Sequence, residues 1–572
     1  MTTSLLLLCL VALQVAAHAL ETGEVVTPVG KLRGLKVAAA NGEPYWSFRG
    51  IPYAVPPLGD LRFAKPVPYP NQEVIDGTQQ GAACTQDPQF LLPNEIMSED
   101  CLFLNIFAKE INQKSPVQKK VVIFIHGGGF FFGSTLMYNP GSFVTEQDVV
   151  FVTIQYRLGL MGFLTSEDEN APGNYGLWDQ ALALKWVKNN VAAFGGDPSD
   201  ITIAGESAGG SSVSFLTLSP VTKDLFTKAY SSSGVATSLF AVNNLNKEAA
   251  RAIAIFVNCL DKDETRMGKE VIQCLRSRPL SAFDNFRLHG HSRTVFHPCG
   301  DGEFLPKSPF ELIKDEQYLE QIGFYQKKYL FGLTNQETTI HGAFLFIPKA
   351  IIYNDTRLSE DEKFNRWLQY LSSLAAEVIA DRLQLDKTPS TLVKKLRDWY
   401  QARNPTPYDV LQLVTDANFI IPTFDLINTV ARSRDAESWL LYFNHYPQFM
   451  KGDLKGLIHA LDLAYWFDLD TTYLLHLMAP GATGVFEEED FKLRRIFSDT
   501  IASFIKTGNP QVSLRKEIPG GWPNYDLHNG YYLDFNPRPS IQKNLKREVR
   551  QLWEKDLPSW AFQELTHQHT EL

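Results

Sequence analysis

The chain of 572 residues has no basic excess, no internal repeat and no low-complexity tract. Its 54 lysines and arginines face 64 aspartates and glutamates, a formal net charge of -10. A nucleic-acid partner wants a basic face, so that class is disfavoured. For a neutral substrate the charge says little. Past the first twenty residues, no stretch reaches the roughly 18 uninterrupted apolar residues of a membrane-spanning helix. No Gly/Ser/Pro-rich linker marks a boundary, although the length alone would allow about three or four domains. Cysteine is scarce, six in all.

What is present begins with a targeting signal. Leu5 to Val15 is an apolar run, and Ala17-His18-Ala19 supplies small residues at a cleavage site. This reads as a signal peptide over 1–19, although no Lys or Arg precedes the run; a buried N-terminal helix is the alternative. The mature chain then begins near Leu20, and Cys9 leaves with the signal. Cys84 and Cys101 flank a loop of 16 residues, and Cys259 and Cys274 flank one of 14. In an oxidising compartment such neighbours are candidate disulfides, but the pairing stays open. Cys299 is left over and reads as a buried or free thiol. The chain ends in His569-Thr570-Glu571-Leu572, close to the endings read by an ER-retrieval receptor. Asn354-Asp355-Thr356 is a glycosylation sequon.

Apolar, β-rich runs alternate with helical stretches. Val121 to Ile125, Val149 to Ile154, Ile201 to Ala204, Tyr329 to Leu333 and Trp439 to Tyr442 read as strands buried on both faces. Trp178 to Asn189 reads as a helix. The alternation predicts an α/β fold, with a large, mostly parallel sheet covered by helices on both sides. Asn243 to Lys395 is more helical and reads as cap-like insertions. One domain over 20–568 is expected, followed by the tail 569–572.

Gly205-Glu206-Ser207-Ala208-Gly209 follows a predicted strand and precedes a predicted helix. The five-residue pattern alone is common. In a strand-turn-helix setting it is a nucleophile elbow, where small flanking residues permit a tight turn and let a substrate approach. His126-Gly127-Gly128-Gly129 ends another strand. Acyl transfer builds negative charge on a carbonyl oxygen, and glycine lets backbone N–H groups be aimed at it. Gly128 and Gly129, with Ala208, are the candidate oxyanion donors. A serine also needs a base and an acid. His459 stands out among the later histidines, and Glu337 lies just past a strand end. A structural histidine and a solvated loop glutamate are the competing readings of those two residues.

Longer motifs resemble the type-B carboxylesterases, a family that includes cholinesterases, insect esterases and neuroligin-like proteins. They run from Phe48-Arg49-Gly50-Ile51-Pro52-Tyr53-Ala54 and Leu61-Arg62-Phe63 to Phe504-Ile505-Lys506-Thr507-Gly508-Asn509-Pro510 and Trp522-Pro523. Ser98-Glu99-Asp100-Cys101-Leu102-Phe103-Leu104-Asn105 is a highly specific signature. Tyr156-Arg157-Leu158-Gly159, Gly173 to Gln180 and Phe194-Gly195-Gly196-Asp197-Pro198 also match. The resemblance implies an α/β-hydrolase fold with Ser207 as nucleophile, Glu337 as acid and His459 as base. It places Glu206 and Ser233 beside them and implies the bridges Cys84–Cys101 and Cys259–Cys274. Two residues depart from the pattern: Thr338 and Val235, where glycine and serine are usual.

The loop from Thr85 to Asp100 lacks the tryptophan with which cholinesterases hold a quaternary ammonium; Phe90 is its only aromatic residue. Glu206 stands where juvenile-hormone esterases usually carry glutamine, and Ser207 is intact, unlike the adhesion members. The expected function is a general carboxylesterase, most like the insect type, acting on small lipophilic or xenobiotic esters with no metal or organic cofactor. A hormone- or pheromone-ester hydrolase, a lipase and a non-catalytic binding protein are the alternatives. Activity is expected to fall as His459 is protonated near or below neutral pH. Phe131, Phe132 and Phe240 are candidates for pocket walls or for core packing.

Overall fold

The computed structural model describes residues 21–111, 118–242, 246–286, 296–337, 359–383, 385, 388–403, 412–447, 459–468, 486–512 and 514–570. The signal segment 1–19, Thr338, the sequon at Asn354, and Glu571-Leu572 of the tail lie outside the described residues.

Thirteen described strands form one sheet. Seven neighbours run parallel, in the spatial order Val150–Ile154, Lys119–Ile125, Gly196–Glu206, Lys228–Ser232, Lys328–Thr334, Glu437–Phe443 and Tyr531–Phe535. Antiparallel strands Phe103–Ala108, Pro44–Pro52, Gly30–Ala38 and Thr22–Thr27 extend one edge. Ser540–Lys543 closes the other edge, and short Val74–Asp76 pairs with Gly30–Ala38.

The apolar runs of the sequence become these central strands because they are covered on both faces. Val121, Ile123 and Ile125 enter one hydrophobic core, while Val122 and Phe124 enter the other. Side chains alternate across a strand, so a continuous apolar run fits only a strand sandwiched between two cores. The expected helix spans Tyr175–Asn190. The more helical middle of the chain contains the helices Glu360–Leu383 and Ser390–Arg403, whose Leu392, Leu396 and Tyr400 join Trp553 in a third core.

Strand order sets the position of the site. Lys119–Ile125 has its chain successor Val150–Ile154 on one side and the later Gly196–Glu206 on the other. Parallel sheets bind ligands at such a reversal, outside the carboxyl ends of the strands. The register pairs Gly205 with Ile125 on one side and Ser231 on the other, and Ser232 with Gly332. The loops that follow these strands therefore leave the sheet at one level. This is the α/β-hydrolase arrangement.

Candidate active site

Ser207 forms the tight link between the strand ending at Glu206 and the helix Ala208–Leu218. Its backbone sits at φ 59°, ψ -124°. A non-glycine residue holds such a conformation only when its surroundings fix it. Two hydrogen bonds do so: Ser207 N–H donates to Ser232 O at 2.9 Å, and Ser211 N–H donates to Ser207 O at 2.8 Å. Gly209 lets the helix press onto the sheet, since a Cβ there would meet Ile125 O at 2.0 Å.

The glycine loop runs against the serine. A Cβ on Gly127 would lie 2.8 Å from Glu206 O and 3.1 Å from Ser207 Cβ. Gly128 and Gly129 take φ of 110° and 59°, which favours glycine. The carbonyl of Gly128 accepts from the N–H groups of Phe131 and Phe132, both at 3.0 Å. The buried ring of His126 stacks on Tyr156, whose hydroxyl donates to His126 O at 2.9 Å. Burial lowers the His126 pKa to about 4, leaving it neutral and structural.

His459 and Glu337 meet although 122 positions separate them: Nδ1 lies 2.8 Å from Glu337 Oε2. The carboxylate partner makes Nδ1 the donor and leaves Nε2 as the basic nitrogen. Glu337 Oε1 accepts from the Ser233 hydroxyl and from Thr334 N–H, each at 2.7 Å. Three bonds thus fix a carboxylate that is 2% exposed. His459 Nε2 stands 3.1 Å from Glu206 Oε1, yet neither atom is hydrogen-bonded.

The charges around this imidazole are crowded. Burial pushes the Glu206 carboxyl up to about 8, against the pull of His459 and with the help of Asp462 and Glu337. Burial disfavours the imidazolium of His459, but the carboxylates of Glu206 and Glu337 outweigh it and hold its pKa above the ordinary value. This moves its protonation upward from the near-neutral range that the sequence suggested. The physical reason is the two acidic neighbours, only one of which is hydrogen-bonded to the ring.

Three further residues shape the site: Asp462, Ser232 and Phe419. Asp462 is buried and accepts from the Ser232 hydroxyl at 2.7 Å, with Oδ1 left unbonded. Burial pushes its pKa up to about 6. Phe419 lays its ring 4.9 Å from that of His459. Asp462 lies three residues after His459, and a search of that turn for a second acid would have found it. Ser232 and Phe419 carry no such cue.

Of the candidate wall residues, Phe240 is buried and packs on Phe419 at 5.3 Å. Phe132 stacks on Phe90 at 4.4 Å, and Phe131 stands edge-on to Phe90. Cys84–Cys101 and Cys259–Cys274 are bonded, as the resemblance implied. Arg62 joins the two bridged loops: it grips Glu99 through two 2.7 Å bonds and donates to the carbonyls of Leu275, Arg276 and Arg278. Among the described residues Cys299 is the free thiol, and burial pushes its pKa up to about 12, so it stays protonated. Among the described residues, no helix is long and apolar enough to cross a membrane.

Residues 21–553 match the model of the carboxylesterase family. The chain is 33% identical to carboxylesterase 1E of Mus musculus, over 97% of this chain and 97% of that protein. It is 31% identical to the cocaine esterase of Homo sapiens, over 96% and 94%. It is 30% identical to the medium-chain fatty acyl-CoA hydrolase precursor of Anas platyrhynchos, over 98% and 97%. With its strand order, serine turn and acid–imidazole pair, this chain belongs to the carboxylesterase family of carboxylic-ester hydrolases.

Proposed function

We propose that the protein cleaves esters through an acyl-enzyme on Ser207, with His459 as base and Glu337 as its orienting acid. The observation that carries this is the 2.8 Å bond from His459 Nδ1 to Glu337, with Nε2 unbonded beside Glu206. Ser207 Oγ attacks the carbonyl carbon while Nε2 takes its proton. The carbonyl electron pair moves onto oxygen and is met by N–H groups of Gly128, Gly129 and Ala208. The first N–H groups of a helix lack intrahelical acceptors, and the helix end favours negative charge. The C–O bond to the alcohol then breaks, and the alcohol leaves with the proton from Nε2. Water gives a proton to Nε2 and attacks the acyl carbon, releasing the acid and restoring Ser207. Glu337 orients the ring throughout, and the scheme uses no metal or organic cofactor.

The substrate class is a broad range of lipophilic or xenobiotic esters. Support comes from the Phe419 ring beside His459, with Phe240 packed on it, and from the differing substrates in the relatives' names. The protein works as one domain over 20–568 in the secretory pathway. The signal peptide directs it there, Asn354 is its glycosylation site, and the tail His569 to Leu572 engages a retrieval receptor in the ER.

A labelled organophosphate, followed by peptide mass spectrometry, tests the nucleophile. The expected adduct is on Ser207. An adduct elsewhere, or none, sinks the assignment.

A further inference from the structure

A cavity of about 370 Å³ shares no lining residue with the Ser207 site. It lies between the helix Pro309–Leu312, the end of Glu360–Leu383, the helix Ile421–Val430 and the segment after Leu552. That volume falls in the range of small-molecule sites. Its floor is apolar: Phe310, Ile313, Ile379 and Trp553 are buried, and Leu383 and Pro558 are half-buried.

The charges at its mouth do not cancel. Arg382 is paired with Asp425, and Glu554 with Arg550 at 3.0 Å. Lys314 and Arg432 are exposed on the rim. Lys314 Nζ donates to Arg382 O at 2.6 Å, and Arg432 Nη1 donates to Ile313 O at 3.0 Å. Both are steadied by carbonyls, and among the described residues neither forms an ion pair with a carboxylate. Burial and the neighbouring Arg382 hold the Lys314 pKa below its ordinary value, against the pull of Asp425 and Glu311.

We propose that this cavity binds an amphiphilic monocarboxylate. The head lies between Lys314 and Arg432, and the hydrocarbon tail lies against Ile379, Leu383 and Trp553. A guanidinium fork matches a carboxylate in shape as well as charge. Two rim cations over an apolar floor suit one anionic head on one greasy tail. Ester hydrolysis releases acids of this class, so a product of the family's reaction can occupy the site. The inference does not depend on which residues perform that reaction.

Calorimetric titration of dodecanoate into the full-length protein is the test, with dodecanol as the uncharged match. Dodecanoate should bind the unaltered protein at least about tenfold more tightly than dodecanol, a head-group difference of a size that one charge-assisted contact supplies. The double variant Lys314→Gln, Arg432→Gln should lose that advantage while keeping its melting temperature. Ile379→Trp, which fills the floor, should weaken both ligands. Equal affinity for acid and alcohol overturns the proposal. So does undiminished dodecanoate binding in the double variant, which would place the ligand elsewhere, including the Ser207 site.

Discussion

His459 Nε2 lies 3.1 Å from Glu206 Oε1 without a hydrogen bond, while its Nδ1 is bonded to Glu337. The imidazole is thus held by one acid and influenced by another. Glu206 raises the cost of losing the ring's proton, and it faces Nε2, the nitrogen that must accept one.

Replacing Glu206 therefore shifts the pH profile. The Glu206 carboxyl, pushed up by burial, ionises in company with the imidazolium, so removing it disfavours the imidazolium and lowers its pKa. The base then stays available at lower pH. In Glu206→Gln, the acid limb of kcat/KM should move down by about one pH unit or more. An unmoved limb, or one that moves up, would show that Glu206 does not set the proton affinity of His459.

Glu337 and its hydroxyl partner Ser233 differ in weight. Glu337→Gln should cost roughly 10⁴ in kcat, since the amide can hold the ring in the wrong tautomer. Ser233→Ala removes one of the two bonds to Oε1 and leaves Thr334 N–H in place. One hydrogen bond to a charged group corresponds to a loss of about tenfold. Steady-state kinetics on a short soluble ester separates the two. If Ser233→Ala falls as far as Glu337→Gln, the carboxylate is not the oriented acid.

The serine turn depends on the close approach at Gly209. A methyl group there would sit 2.0 Å from a backbone carbonyl, which cannot swing aside as a side chain can. Gly209→Ala should cost about 3 kcal/mol and displace the turn, so activity and melting temperature should fall together. A stable protein with normal turnover would mean that helix and sheet are farther apart than described.

Arg157 and Asp179, from two of the family motifs, form a buried pair. The guanidinium donates to Asp179 at 2.8 and 2.7 Å, and Arg157 N–H donates at 3.0 Å. Asp179→Ala leaves the arginine buried and unpaired, which costs about 3–5 kcal/mol. Differential scanning calorimetry should show a clearly lowered transition. An unchanged transition would assign these motifs to something other than stability.

The strands, the serine turn and the glycine loop were legible because each is encoded locally. Val121 to Ile125 is apolar without interruption because both faces are buried. Gly205 and Gly209 flank Ser207 because nothing larger fits the turn. The residues alone left Glu337 and His459 as competing readings, and the family motifs selected them. Motifs such as Arg157 and Asp179 were legible as resemblance, but their work as an ion pair was not.

The sequence by itself determined which short segments would be strands, where the tight turn with a serine falls, and which family the chain belongs to. Only the tertiary structure decided that Glu337 meets His459 across 122 positions and that Ser232 meets Asp462 across 230. Spatial strand order departs from chain order, so residues remote in sequence leave the sheet side by side. The environment of the imidazole, with its two unequal acids, follows from that order and from burial, and neither is written in any local pattern.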